Sequence, residues 1–166
     1  MKKIYSFVAA LVVAMVVLAS CGASSAYQAQ LDAAKSAIEA KDATTAFAKV
    51  KEVIAGDKVT VDDALLSTMY AMAAYGIEVQ KANGQLDAAT NLDLCKQVAE
   101  AYNKVKSFPE AEVSKSNDAL KIVSGQDVMG TAAQYVQNIA NLESQIQAAQ
   151  QAAEAEGEGE GEEEAE

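Results

Sequence analysis

The most reactive groups in this 166-residue chain are two thiols with very different surroundings. Cys21 ends the run Leu18-Ala19-Ser20-Cys21 and is followed by Gly22, whereas Cys95 stands at helical spacing between Leu92 and Ala99. A thiol attacks as its thiolate, which needs a neighbouring cation or a helix N-terminus to lower its pKa. Cys95 has only Lys96 beside it, so it reads as a small buried apolar residue. The usual partners of reactive groups are missing, because the chain has no His, no Arg and no Trp. That removes imidazole for proton transfer near neutral pH or for zinc, and guanidinium for a two-point grip on phosphate or carboxylate. Ser, Lys and Tyr are present, but no Ser-x-x-Lys, Gly-x-Ser-x-Gly or phosphate-cradling glycine spacing occurs. The carboxylate pair Asp62-Asp63 precedes an apolar run, the place for acidic residues in a first helical turn rather than an acid/base dyad. Tyr70, Tyr75 and Tyr102 are candidates to line a groove, although the commoner place of such tyrosines is the edge of a helix bundle with the hydroxyl wet. These residues point to no catalytic, cofactor-binding or metal-ligating set, and the chain reads as no enzyme.

Cys21 belongs to a longer pattern. Lys2 and Lys3 open the chain and an apolar run follows from about Phe7 to Leu18, the layout of a secretory signal. The run is well short of the roughly 20 apolar residues that a membrane-spanning helix needs. With that context, Leu18-Ala19-Ser20-Cys21 resembles the lipobox of bacterial lipoproteins. The resemblance implies that residues 1–20 are a removed signal peptide and that Cys21 is the lipidated first residue of the mature chain. Residues 21–25 would then be the lipidated Cys and its tether, with the membrane held through acyl chains on Cys21. Gly22 in place of Asp, with no acidic cluster after Cys21, implies by the same resemblance the outer membrane, facing the periplasm. In such an oxidising compartment Cys95 has no intrachain partner, so a disulfide framework is excluded.

Charge excludes more. Lys and Arg together number 13 against 24 acids, a net charge of −11, and eight of the Glu fall in residues 154–166, which hold no Lys. Alternating Gly and like charge cannot pack, so 154–166 reads as a disordered acidic tail. Neither the body nor the tail would seek nucleic acid. Anionic headgroups would repel both, leaving the acyl chains as the attachment. Carboxylates are hard ligands for divalent cations, yet this tail has no fixed ligand order, and solvation is its default role.

Between tether and tail, residues 26–153 read as one all-α domain of about six helices in antiparallel hairpins, forming either a bundle or a short repeat array. Tyr27, Leu31, Ala34 and Ile38 make the stripe of a first helix over about 25–40. Asp42 caps a second, with Ala46, Phe47, Val50, Val53 and Ile54 as its face and Gly56 at its end. Thr60 and Asp63 have capping-box spacing for a third, whose broad face is Leu65, Met69, Met72, Ala73, Gly76 and Ile77 and which stops at Asn83-Gly84. A fourth starts near 86 with Ala89, Leu92, Cys95, Ala99, Tyr102 and Val105 in line. Ser107-Phe108-Pro109-Glu110 has the form of a capping box for a fifth, with Val113, Leu120 and Val123 as core candidates and Gly125 as its stop. The last runs from about 127 to 154 with a seam of Val128, Ala132, Tyr135, Ile139, Leu142, Ile146, Ala149 and Ala153. The flanks of that seam lack the charges that specify a dimer, so packing against the bundle is favoured over self-association through 128–153.

The hairpin of residues 26–54, with Ala46, Phe47, Val50, Val53 and Ile54 in its second helix, resembles a tetratricopeptide repeat, although a 34-residue period is absent. Matching Ala37-Ile38-Glu39 to Gly76-Ile77-Glu78 gives a period of 39. The resemblance covers about 26–105 and implies a concave surface that binds a protein or peptide. The expected function is a lipid-anchored helical protein-interaction module of the cell envelope. The alternatives are a self-associating structural spacer, suggested by the last seam, and a binder of a small apolar ligand, suggested by Met69 and Met72.

Overall fold

A computed structural model describes residues 25–157, so Cys21, the signal segment and residues 158–166 lie outside the described residues. The described chain forms six helices and no strand: α1 (Gln28–Glu39), α2 (Ala43–Ile54), α3 (Val61–Lys81), α4 (Ala88–Lys106), α5 (Glu110–Ser124) and α6 (Val128–Gly157).

Most boundaries arise from local chemistry. After α1, Lys41 takes a left-handed φ of 58° and lets the Asp42 amide donate to the Ala37 carbonyl at 2.8 Å, closing the free end of the helix. Asp42 then accepts from the Thr45 amide at 3.0 Å and caps α2. Thr60 and Asp63 form the expected capping box, each side chain accepting from the other residue's amide, at 3.0 Å and 3.2 Å. Asn83 and Gly84, with φ of 50° and 79°, end α3 as its Asn-Gly pair led one to expect.

Two caps differ from expectation. Ser107 does not open α5: its hydroxyl donates back to the Lys104 carbonyl at 2.6 Å and finishes α4, while Pro109 stands at the start of α5 without a side-chain cap. A hydroxyl at the junction of two helices is within reach of orphan carbonyls behind it as well as orphan amides ahead, and here the carbonyl wins. Gly56 follows α2 without a left-handed φ, which the glycines reserve for Gly84 and Gly125. A Cβ there would overlap the far end of the Tyr27 ring, which would have to move aside.

Packing is organised around α3. Every residue from Ser67 to Ala74 is buried, and the helix is apolar on nearly all sides through its middle, the pattern of a central helix. Its small residues, Ala64, Ala71, Ala73, Ala74 and Gly76, allow neighbouring backbones close approach. The hairpin α1–α2 packs on one side of α3 and α4 on another, so α1–α2 and α3–α4 stack as two successive hairpins. The stripe of α2 is buried as expected, with Ile54 partly so. That of α4 is wider than its Leu92–Cys95–Ala99 line: Leu94, Val98 and Ala101 are buried too, whereas Ala89 is exposed and Leu92 half-buried. The reason is that α4 is covered twice, by α3 and by α6.

A third stacked hairpin does not form. Instead α6 lies antiparallel on α4, with Met129 near Tyr102 and Lys106, Asn138 against Cys95 and Glu143 paired with Lys96 at 3.0 Å. Displaced from the stack, α5 lies across one end. The residues lining grooves with it come from the ends of their own helices: Asp62, Leu65 and Leu66 of α3, Tyr102 and Lys106 of α4, and Met129 of α6. With only Val113 and Leu120 buried, α5 offers too little apolar face to compete for the flank of α4, and Val123, expected in the core, is 40% exposed. Tyr27 is at this same end, its hydroxyl accepting from the Lys58 amide at 3.4 Å.

The seam of α6 is inside the bundle for only part of its length. Val128, Ala132 and Leu142 are buried, Tyr135, Ile139 and Ile146 half-buried, and Ala149 and Ala153 exposed. From Gln147 to Ala153 every residue is exposed, and the helix continues to Gly157. At 1.5 Å per residue, α6 therefore overhangs the end opposite Tyr27 and α5 by about 16 Å.

Candidate functional site

The one cluster of reactive side chains among the described residues joins α3, α4 and α6. The Tyr75 hydroxyl donates to Asn91 Oδ1 at 2.9 Å, Cys95 Sγ points at the same oxygen at 3.6 Å, and Asn138 Nδ2 approaches the sulfur at 3.9 Å. Tyr135 stands edge-to-face on Tyr75, with ring centroids 4.9 Å apart. Burial raises the Cys95 thiol above its ordinary pKa. It pushes Tyr75 up to about 12, with Cys95 a lesser cause, and Tyr135 higher still, with Tyr75 and Cys95 adding to burial. Burial therefore favours the neutral form of all three groups. The contacts of Asn138 and Tyr135 with Cys95 and Tyr75 join α6 to the hairpin beneath it. The expectation that Cys95 is a buried small residue holds, since it is fully buried.

The remaining sequence candidates are structural. Asp63 is buried within its capping box and Asp62 is exposed, so the pair forms no dyad. Tyr70, expected at a wet edge, is only 5% exposed and is pushed up to about 12 by burial, with Asp32 and Glu39 adding to the shift. It sits on the face of α3 that the preceding hairpin covers. Tyr75 and Tyr102 are half-buried, as an edge position requires, but the Tyr75 hydroxyl is engaged by Asn91 and not the wet one expected, while Tyr102 lines a groove. Met69 and Met72 are closed into the core and line none of the grooves described below, so that part of the broad face of α3 is packing surface.

Open grooves among the described residues include three formed between helices. One of about 340 Å³ between α2 and α4 has Phe47, Leu94, Ala43 and Ala48 in its floor and Lys51, Glu78 and Gln97 at its rim. A second, about 460 Å³, is formed by α4, α5 and α6 with Tyr102, Phe108, Val113 and Met129. A third, of about 150 Å³, separates α3 from α5 and is lined by Leu65, Leu66, Ala119, Leu120 and Val123. It is below the roughly 300–1,000 Å³ typical of small-molecule sites.

Two features escaped the sequence reading. Asp87 caps α4 as Asp42 caps α2, each carboxylate accepting from the amide and the hydroxyl of a Thr three residues on, Thr90 and Thr45. These bonds hold both carboxyls below the ordinary range. The signal was Asp-Ala-x-Thr at 42–45 and 87–90; from it Val50 corresponds to Cys95 and Val53 to Val98, all buried. The other feature is the exposed pair Ile122 and Val123. Among the described residues no three His, Cys, Asp or Glu side chains gather as a metal site would need, and no helix is long and apolar enough to cross a membrane. Compared with protein-family models, curated proteins and solved structures, the chain matches none.

Proposed function

We propose that this chain is a lipid-anchored protein of the bacterial envelope, held through Cys21 at the outer membrane and facing the periplasm, where it acts as a helical protein-interaction module. The observation that carries the anchor is Leu18-Ala19-Ser20-Cys21 behind Lys2-Lys3 and an apolar run. What supports the module is the pair of stacked hairpins and their open groove between α2 and α4. An apolar floor of Phe47 and Leu94 with a charged rim is the composition of a binding patch, apolar at its centre and polar at its edge.

Intact mass and membrane fractionation of Cys21→Ser test the anchor: the variant should stay unprocessed or leave the membrane, and unchanged processing and attachment would refute it. A photo-crosslinking residue at Thr44 or Gln97, on the groove, should capture a partner in cells that the same residue at exposed Gln147 does not. Equal capture would overturn the module reading. The overhang of α6 favours a second reading, a self-associating spacer. A concentration-dependent dimer that disappears when the chain stops after Ile146 would support it.

A further inference from the structure

We propose that the C-terminal turn of α5, Ile122 with Val123, seats on the bilayer surface that holds the anchor, so that the domain stands on the membrane at its α5 end and α6 points away from it. This rests on lipidation of Cys21. The exposed large apolar side chains among the described residues are Ile122, at 85%, and Val123, at 40%, and they are neighbours in the sequence. Ala119, exposed one turn earlier, and Leu66, half-buried across the small groove, line that groove with Val123, beside Asp62 and Ser116, and so extend the apolar strip from its Val123 side. A single exposed apolar residue needs no explanation, but a contiguous group marks a contact surface.

Position identifies the occupant. The strip borders Asp62 and Leu66 in the first turns of α3, and α3 begins three residues after Lys58, whose amide meets Tyr27. The start of the described chain, Ser25, is thus at the strip's end of the domain. Three residues separate Cys21 from Ser25, so the four steps of chain between them reach at most about 14 Å. An acylated Cys21 therefore holds this end, and not the α6 end, against the lipid. The groove beside the strip, about 150 Å³, is below the size of a small-molecule site, so an acyl chain is not swallowed there and the strip meets a surface instead. Two side chains bind a membrane poorly by themselves, but the anchor keeps them at high effective concentration beside it. Lys121 can extend its ammonium to the headgroup layer while its stem lies along the lipid boundary.

The chain contains no Trp, which provides a clean test. The full lipidated chain carrying Ile122→Trp is reconstituted in phosphatidylcholine vesicles with brominated acyl chains and compared with Gln147→Trp on the overhang. Trp at 122 should emit to the blue and lose most of its intensity to bromine, and Trp at 147 should lose none. A second reporter, Ala119→Trp, should be quenched in the otherwise native chain and released when Ile122→Ser and Val123→Ser are added, which shows that the native strip makes the contact. If the wild-type chain floats with vesicles but Trp at 122 is quenched no more than Trp at 147, the seat is wrong and the anchor stands. If wild type and Cys21→Ser alike fail to float, the anchor fails and the seat with it. A blue shift without quenching means that a second copy covers the strip, and overturns the proposal.

Discussion

Leu142→Ala measures how far the bundle reaches along α6. Leu142 is 5% exposed, yet Asn141, Glu143, Ser144 and Gln145 around it are exposed and Ile146 is half-buried, so it is the last fully covered side chain before the overhang. Truncating a buried Leu costs about 2–5 kcal/mol, with the smaller losses where the surroundings collapse into the space. At the edge of the bundle the cost should be at the low end, about 2–3 kcal/mol. Stopping the chain after Gln147 removes exposed residues and a helix segment too short to be stable alone, so it should change stability by a few tenths of a kcal/mol at most. Urea denaturation of the soluble form beginning at Gly22 separates the two: with a slope of about 2 kcal/mol per molar, Leu142→Ala should move the midpoint by about 1–1.5 M. Two protein concentrations are needed, because a midpoint that rises with concentration reports self-association. If Leu142→Ala and the truncation lose equally little, α6 is not packed on α4 in the monomer. If the truncation alone loses more than about 1 kcal/mol, the overhang has a partner in solution, and self-association through 128–153 gains.

Thr60→Ala removes the hydroxyl that accepts from the Asp63 amide and should cost about 1 kcal/mol in thermal unfolding, while Thr60→Ser keeps most of it; an unchanged midpoint would show that the cap is redundant. Cys95 should resist thiol reagents in the native protein and react at the normal rate only in denaturant, and Cys95→Val should cost less than about 1.5 kcal/mol because Val50 fills the corresponding place in the first hairpin. Rapid native labelling would contradict its burial. Burial disfavours the tyrosinates of Tyr70 and Tyr75 in the folded state, so their folded pKa values are raised to about 12 from 10.0. The stability they contribute is complete below the unfolded value and is lost as pH rises from 10 towards 12. An absorbance titration of the form beginning at Gly22 should show these rings ionising together with loss of helix; ionisation of Tyr70 and Tyr75 near 10.0 with the helices intact would refute the packing.

Short-range relations account for what was legible beforehand. The all-α class, the stripes of α1 and α2, the cap at Asp42, the Thr60–Asp63 box and the stop at Asn83-Gly84 each depend on residues within a turn or two of one another, and periodicity and side-chain reach suffice to read them. The motif around Cys21 is a sequence pattern as well, and the fold from Ser25 onward does not bear on it. Ser107 was misread because its hydroxyl had two helices to choose between, and neighbouring residues alone do not choose. Only the tertiary structure decided that α6 rather than α5 covers α4, since both had apolar residues at helical spacing and the outcome depended on which offered α4 the longer face. That competition sent α5 across the end of the bundle and left Val123 outside the core. It also placed Ile122 and Val123 at the end where the chain begins, a juxtaposition of residues about a hundred positions apart that no local pattern contains.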